Sequence, residues 1–272
     1  MAVQTTYSTQ PALGIAGMLA DSGPSDVASA AAQGTLVAGI AALKGSAERT
    51  CKPIASTYAV AADADAFVTA LASTAGVQTL SGGSLDGVVG TAEMIPPRNV
   101  TMTFSSHADW DATTATVTGT DENGETITEN FSIPNGGNAT VTGAVKFRTV
   151  TSISIPAQSG TGGTGTIGTG SLLGNVDRHL LGLTLYDATR EPGAWVDNDT
   201  VPVLRQGRAW VTSETAVNDG DPVFVRFVVS GDEVYGALRA TPDSNDCVRW
   251  TRARWRSKTS AAGLAIVELN LP

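Results

Sequence analysis

"AWVTSETAVNDGDPVFVRF", residues 209–227, decides the fold class. Val223, Val225 and Phe227 alternate with Phe224 and Arg226. That is the period-two pattern of a strand with one buried face. Asn218-Asp219-Gly220-Asp221 places turn-forming residues between this run and the apolar one before it. The stretch reads as strand, tight turn, strand: a β-hairpin with no chemical machinery beside it.

The same pattern extends in both directions. Downstream, "DEVYGALRA" (232–240), "CVRWTRARWRS" (247–257) and "LAIVELNL" (264–271) read as further short strands. Their even spacing predicts a small barrel or sandwich. Upstream, residues 98–170 are rich in Thr alternating with apolar residues, as in "NVTMTF" (99–104) and "ATVTGTDENGETITENFSI" (115–133). Asn123-Gly124 lies between two alternating runs, a strong hairpin signal. "NATVTGAVKFRTVTSISIPA" (138–157) adds strands, and "GTGGTGTIGTG" (160–170) closes a predicted Thr-rich β-sandwich. Branched Thr suits a pleated surface, and its hydroxyl tolerates water. Residues 57–80 are the best helical window, with Phe67, Ala70, Leu71 and Thr74 on one face; the run also fits a pair of strands.

Residues 1 to about 55 are rich in Ala, Gly, Ser and Thr and are broken by Pro11, Gly14, Gly17, Gly23 and Pro24, and the first 40 residues carry only Asp21 and Asp26 as charges. Such a segment buries itself poorly alone. It reads as an extended arm laid across a neighbouring subunit. The start of the chain lacks a basic stretch followed by a continuous apolar core, so no secretory signal is expected. No apolar run is long enough to suggest a membrane helix, and no membrane partner is expected.

The chain has 272 residues, 42% of them hydrophobic, with 30 glycines and 12 prolines. Charged residues make up 16%, below the usual quarter, which points to surface covered in an assembly. The net charge of −9 argues against general nucleic-acid binding. Cys51 and Cys247 lie outside any CxxC pattern and read as free thiols or one long-range pair.

Catalytic and metal signals are weak. His107 with Asp109 and Asp111 is more simply a loop than a cation site, and His179 beside an apolar run reads as core or interface. There is no G-x-S-x-G elbow, and "GTGGTGTIGTG" lacks the lysine of a phosphate loop. No enzyme activity, cofactor or metal is expected. The basic stretch "RWTRARWR" (249–256) interleaves Arg with Trp, and five of the 17 basic residues fall between 249 and 258. Arg and Trp recur at protein–protein hot spots. On an acidic chain, the stretch reads as a docking edge for an acidic protein surface, with a solvated face as the alternative.

Two stretches together resemble the cement, or decoration, proteins of tailed-bacteriophage capsids. They are "YSTQPALGIAGMLADSGPSDVASA" (7–30) and "QGRAWVTSETAVNDGDPVFVRF" (206–227). The second carries Val201, Val203, Gly207, Trp210, Val211, Gly220, Asp221, Pro222, Val223 and Val225 in the family's pattern when read with the strand before it. The Thr-rich middle is similar to immunoglobulin-like domains inserted in phage structural proteins. The resemblance implies an all-β protein. Residues 1–79 would form the N-terminal arm and the first part of a capsid-binding base, 80–173 an inserted β-sandwich, and 174–272 the remaining base. It implies a virion structural protein on the capsid exterior, made in the host bacterial cytoplasm, that clamps neighbouring major capsid subunits. The partners would be the major capsid protein and further copies of the chain, as a trimer at three-fold positions or else a dimer at two-fold positions. Neither nucleic acid nor membrane would be contacted. The expected contact residues are Pro11, Leu13, Ile15, Met18 and Leu19 in the arm, with Arg249, Trp250, Arg252, Arg254, Trp255 and Arg256 in the basic stretch. The rival readings are a head fibre, a tail or baseplate component, or a secreted carbohydrate-binding module.

Overall fold

The computed structural model describes residues 14–21, 23–55, 62–105, 107–135, 138–190 and 194–270. Among these, nineteen strands and two short 3₁₀ turns account for all regular structure, so the all-β expectation holds. Two bodies of β-structure share the chain.

The first body is built around one long strand, Thr200–Ser213. Its first half pairs with Asp26–Ala32 and Leu180–Thr184. Its second half pairs antiparallel with Gly263–Asn270, from Gln206 opposite Asn270 to Ser213 opposite Gly263. Gly207, at φ +123°, sits at the changeover, and a Cβ there would lie 3.0 Å from Ser25. From Gly263–Asn270 the pairing passes to Cys247–Trp255, then Pro222–Arg226, then Leu238–Arg239. Leu238 returns to Ser213 and closes a five-stranded barrel. Closure removes the free strand edges that an open sheet would leave. Val211, Val223, Val225, Phe227, Trp250, Trp255 and Val267 fill the interior and are fully buried.

The inward alternation of Val223, Val225 and Phe227 is therefore as the sequence predicts, but the hairpin is not. The turn forms, with the Asp221 amide donating to the Asn218 carbonyl at 3.1 Å. The two flanking strands are not partners, however, because Leu238–Arg239 lies between them in the barrel. Val217 bridges instead to Thr259.

The second body is a sandwich of two four-stranded sheets. One sheet runs Ala139–Thr142, Arg98–Ser105, Thr164–Leu173, Asp63–Ala72. The other runs Gln78–Ser81, Thr149–Ile155, Thr114–Thr120, Thr126–Ser132. The Asn123-Gly124 hairpin is present, joining Thr120 to Thr126 with Gly124 at φ +86°. Threonines pair across strands, Thr103 with Thr140 at 3.0 Å and Thr120 with Thr149 at 2.7 Å. Such cross-strand pairs stabilise a sheet from its wet face. Inside, Phe104 packs edge-on against Trp110 with ring centroids 5.0 Å apart.

The helical window does not form a helix. Residues 63–72 are a strand, and 56–61 lie outside the described residues. Phe67 and Leu71 are four apart, and four is an even number, so a strand also puts both on one face. Ala66, Phe67, Val68 and Leu71 are buried in the sandwich core, which thus draws on chain well before residue 80. The segment read as an arm is likewise partly strand. Asp26–Ala32, Leu36–Val37, Ala41–Lys44 and Thr50–Pro53 belong to the first body.

Candidate functional site

Residues 14–20 lie along the second half of the long strand, on the side opposite Gly263–Asn270. The Gly17 amide donates to the Trp210 carbonyl at 2.7 Å, Trp210 to Met18 at 2.8 Å, and Ala20 to Arg208 at 2.9 Å. The Tyr186 amide donates to the Gly17 carbonyl at 2.9 Å from the other side. Two glycines permit this fit. A Cβ on Gly14 would stand 2.5 Å from the Trp210 indole, and one on Gly17 would stand 2.6 Å from the Tyr186 nitrogen. Gly17 also adopts φ +89°, which L side chains rarely take. Gly17→Ala should release this segment from the barrel. The check is hydrogen exchange at the Trp210 amide, whose protection should fall at least tenfold, in keeping with local opening at low cost.

Seated this way, the segment turns its apolar side chains outward. Ile15 is 50%, Met18 40% and Leu19 42% exposed. Pro11 and Leu13, the other two residues expected to make contact, lie outside the described residues.

The basic strand Cys247–Trp255 passes nearby and departs from simple alternation. Pro222 pairs with Arg254 but its neighbour Val223 pairs with Trp250, so the strand is irregular between 250 and 254. This shift of phase turns both Trp250 and Trp255 inward, although they differ in parity. Both indoles are 0% exposed in the barrel core. Contrary to the sequence expectation they are not contact residues but supports beneath the arginines. Asp177 holds the irregular segment, accepting from the Thr251 amide at 3.1 Å and from its hydroxyl.

Arg252, Arg254 and Arg256 emerge together, lining an open trough of about 640 Å³ with Pro24, Gln206 and Leu269. Arg249 does not join them. It borders a separate hollow beside Lys146 and Leu172. The trough and the arm meet at Pro24 and Gly207, and a chain of charges ties them. Asp21 pairs with Arg208 at 3.3 Å, Arg208 with Glu268 at 3.4 Å, and Glu268 with Arg256. The hydrogen bond and charge of Glu268 hold the Arg256 guanidinium above its ordinary range. Arg252 and Arg254 have no carboxylate within ion-pair distance among the described residues; Arg254 donates to the Ala253 carbonyl at 2.9 Å.

A second hollow of about 250 Å³ opens on the other side of Arg252. Lys44, Arg178 and Arg205 converge there over Leu180 and Leu181. Sequence reading missed these three, since nothing in the chain links positions 44, 178 and 205. Lys44 and Arg205 each end an apolar run, but Arg178, between Asp177 and His179, carries no such signal.

The other polar clusters close loops. Asp111 accepts from the Ser159 amide at 2.6 Å and its hydroxyl at 2.8 Å, and so joins two loops of the sandwich. His179 is packed beside Glu93 at 3.8 Å, and burial lowers its pKa. Among the described residues no three His, Cys, Asp or Glu side chains gather as a metal site would require. Cys51 and Cys247 are both buried and unpaired, each thiol pushed up to about 11, chiefly by burial.

No curated protein matches the chain. A family model does, over residues 128–270, described as structural cement protein (E217 gp24/Pam3 gp6). The matched span is more than half of the 272 residues and contains the entire five-stranded barrel with its arginine strand. The chain belongs to this family of phage structural cement proteins and is a structural component of the virion that stabilises the capsid.

Proposed function

We propose that the protein binds the outer surface of the capsid and clamps neighbouring major capsid subunits. The observation that carries this reading is the joining of two distant segments through the ion pairs Asp21–Arg208, Arg208–Glu268 and Glu268–Arg256. The arm, with Ile15, Met18 and Leu19 turned outward, abuts the trough of Arg252, Arg254 and Arg256 at Pro24 and Gly207. Apolar anchors beside a cationic groove are what a seam between acidic protein surfaces would need. A shell packed with DNA is pressed outward, and many such contacts around it act together. The sandwich, in this reading, projects from the shell.

Sedimentation of purified protein with shells stripped of it tests the reading. The protein should pellet with the shells to a fixed stoichiometry, and decorated shells should withstand heating or osmotic shock that bursts bare ones. Protein that stays in the supernatant at every salt concentration would overturn the assignment. Changing Arg252, Arg254 and Arg256 together to Ser should weaken shell binding about tenfold at low salt, roughly 0.5 kcal/mol per rim charge. The difference should shrink as salt rises, because rim charges are screened beyond about 10 Å at 0.1 M.

A further inference from the structure

The hollow at Lys44 is the least explained feature of the surface. Lys44 comes from the strand Ala41–Lys44, Arg178 from the turn before Leu180–Thr184, Arg205 from the long strand and Arg252 from the basic strand. Four separate elements thus bring four cations around one small depression, on a chain whose net charge is −9. The carboxylate present, Asp177, is held by Thr251. Arg178 donates to the Asn123 side chain, at the tip of the sandwich hairpin. Arg205 reaches Asp26 at 3.6 Å. No carboxylate lies within ion-pair distance of Lys44 or Arg252 among the described residues. Partial burial at the hollow's wall, and then the like charges of Arg178, Arg205 and Arg252, lower the Lys44 pKa. Crowding of this kind opposes folding unless an anion relieves it.

We propose that this hollow seats acidic side chains of an extended segment from a neighbouring protein, which continues past Arg252 into the adjoining trough. The occupant's identity as a capsid subunit rests on the function proposed above; the chemistry of the site does not. Two features favour a peptide over phosphate or nucleic acid. The floor is apolar, formed by Leu180 and Leu181, so it covers aliphatic side chains between the carboxylates. Arg252 stands between hollow and trough and lines both, so an extended segment leaving one can enter the other past a single guanidinium.

The test is fluorescence anisotropy with a labelled short peptide alternating Glu and Leu, added to the full-length protein. Binding should saturate and weaken with salt. Arg252→Glu and Lys44→Glu should each lower affinity about tenfold. Lys146→Glu, the same charge change beside the separate hollow, should leave affinity unchanged, and a Gln-Leu peptide should not bind. Wild-type affinity in both Arg252→Glu and Lys44→Glu would overturn the proposal. So would displacement of the peptide by inorganic phosphate or a single-stranded oligonucleotide at lower concentration than by unlabelled peptide, which would assign the hollow to phosphate chemistry. Shell binding that persists while the peptide fails would reject this site and leave the capsid reading standing. Peptide binding without shell binding would do the reverse.

Discussion

Arg226→Met should destabilise the barrel by about 3 kcal/mol, at the low end of the cost of breaking a buried ion pair. Alternation with Val223, Val225 and Phe227 would put Arg226 outside, yet its side chain is 1% exposed. Its guanidinium is saturated. Nε and Nη2 donate to Glu214 at 2.8 Å each, Nη2 to Asp243 at 2.8 Å, and Nη1 pairs with Glu233 at 2.9 Å. Burial alone would disfavour its charge, but the hydrogen bonds it donates to Glu214 and Asp243 outweigh it and raise the pKa. Methionine fills similar space and leaves Glu214, Glu233 and Asp243 with one cation among them, Arg239, which pairs with Asp243 at 2.5 Å and Glu214 at 3.6 Å. Glu233 and Asp243 retain access to water, which is why the loss falls near the low end of the range. Guanidinium denaturation followed by fluorescence of the buried Trp250 and Trp255 measures it; a loss under about 1 kcal/mol would show the cluster to be incidental. The acid limb gives a second check. The hydrogen bond from Arg226 is the main cause holding the Asp243 carboxyl below its ordinary range. A lowered folded pKa gives stability that is present above the unfolded value of about 4 and is lost as pH falls through the folded one. Arg226→Met should flatten that acid dependence.

Deleting residues 1–25 should lower shell binding about a hundredfold while leaving a folded protein. Ile15, Met18 and Leu19 are roughly half exposed. Covering the remainder recovers about half of the ~2 kcal/mol available per large apolar side chain, or about 3 kcal/mol for the three. That energy corresponds to a factor of about a hundred in affinity. The cut falls before Asp26, because Asp26–Ala32 pairs with the long strand through Ala28–Val203 and Ala30–Val201 and its loss would damage the sheet. The barrel itself closes through residues 200–270 alone. Far-ultraviolet circular dichroism and shell sedimentation on one preparation decide the point. A folded truncation that binds as tightly as the full chain would remove the arm from the account.

Period-two alternation carried most of what the sequence revealed. Val223, Val225 and Phe227, the Thr-rich runs and the Asn123-Gly124 turn are local signals, and each specifies its strand without reference to the rest of the chain. Partner choice is not local. The insertion of Leu238–Arg239 between the strands of the opening stretch depends on closing a barrel around Trp250 and Trp255, and no residue within 209–227 records it. The same limit hid the site. Arg252, Arg254 and Arg256 were visible as a run, but the irregularity at 250–254 that buries both tryptophans and sends Arg249 elsewhere arises from pairing with Pro222 and Val223. Lys44, Arg178 and Arg205 meet Arg252 only because four strands and turns converge. Arg226 was misplaced for a related reason. Its parity points outward, and the acids that enclose it come from three loops.

Cryo-electron microscopy of virions containing this chain would show where it sits. Density for the barrel should lie on the outer capsid face at every symmetry axis of one type, with residues 14–20 and the Arg252 trough against the seam between major capsid subunits and the sandwich outermost. Density confined to the tail or to a single vertex, or a barrel that meets the shell through its opposite face, would contradict this placement.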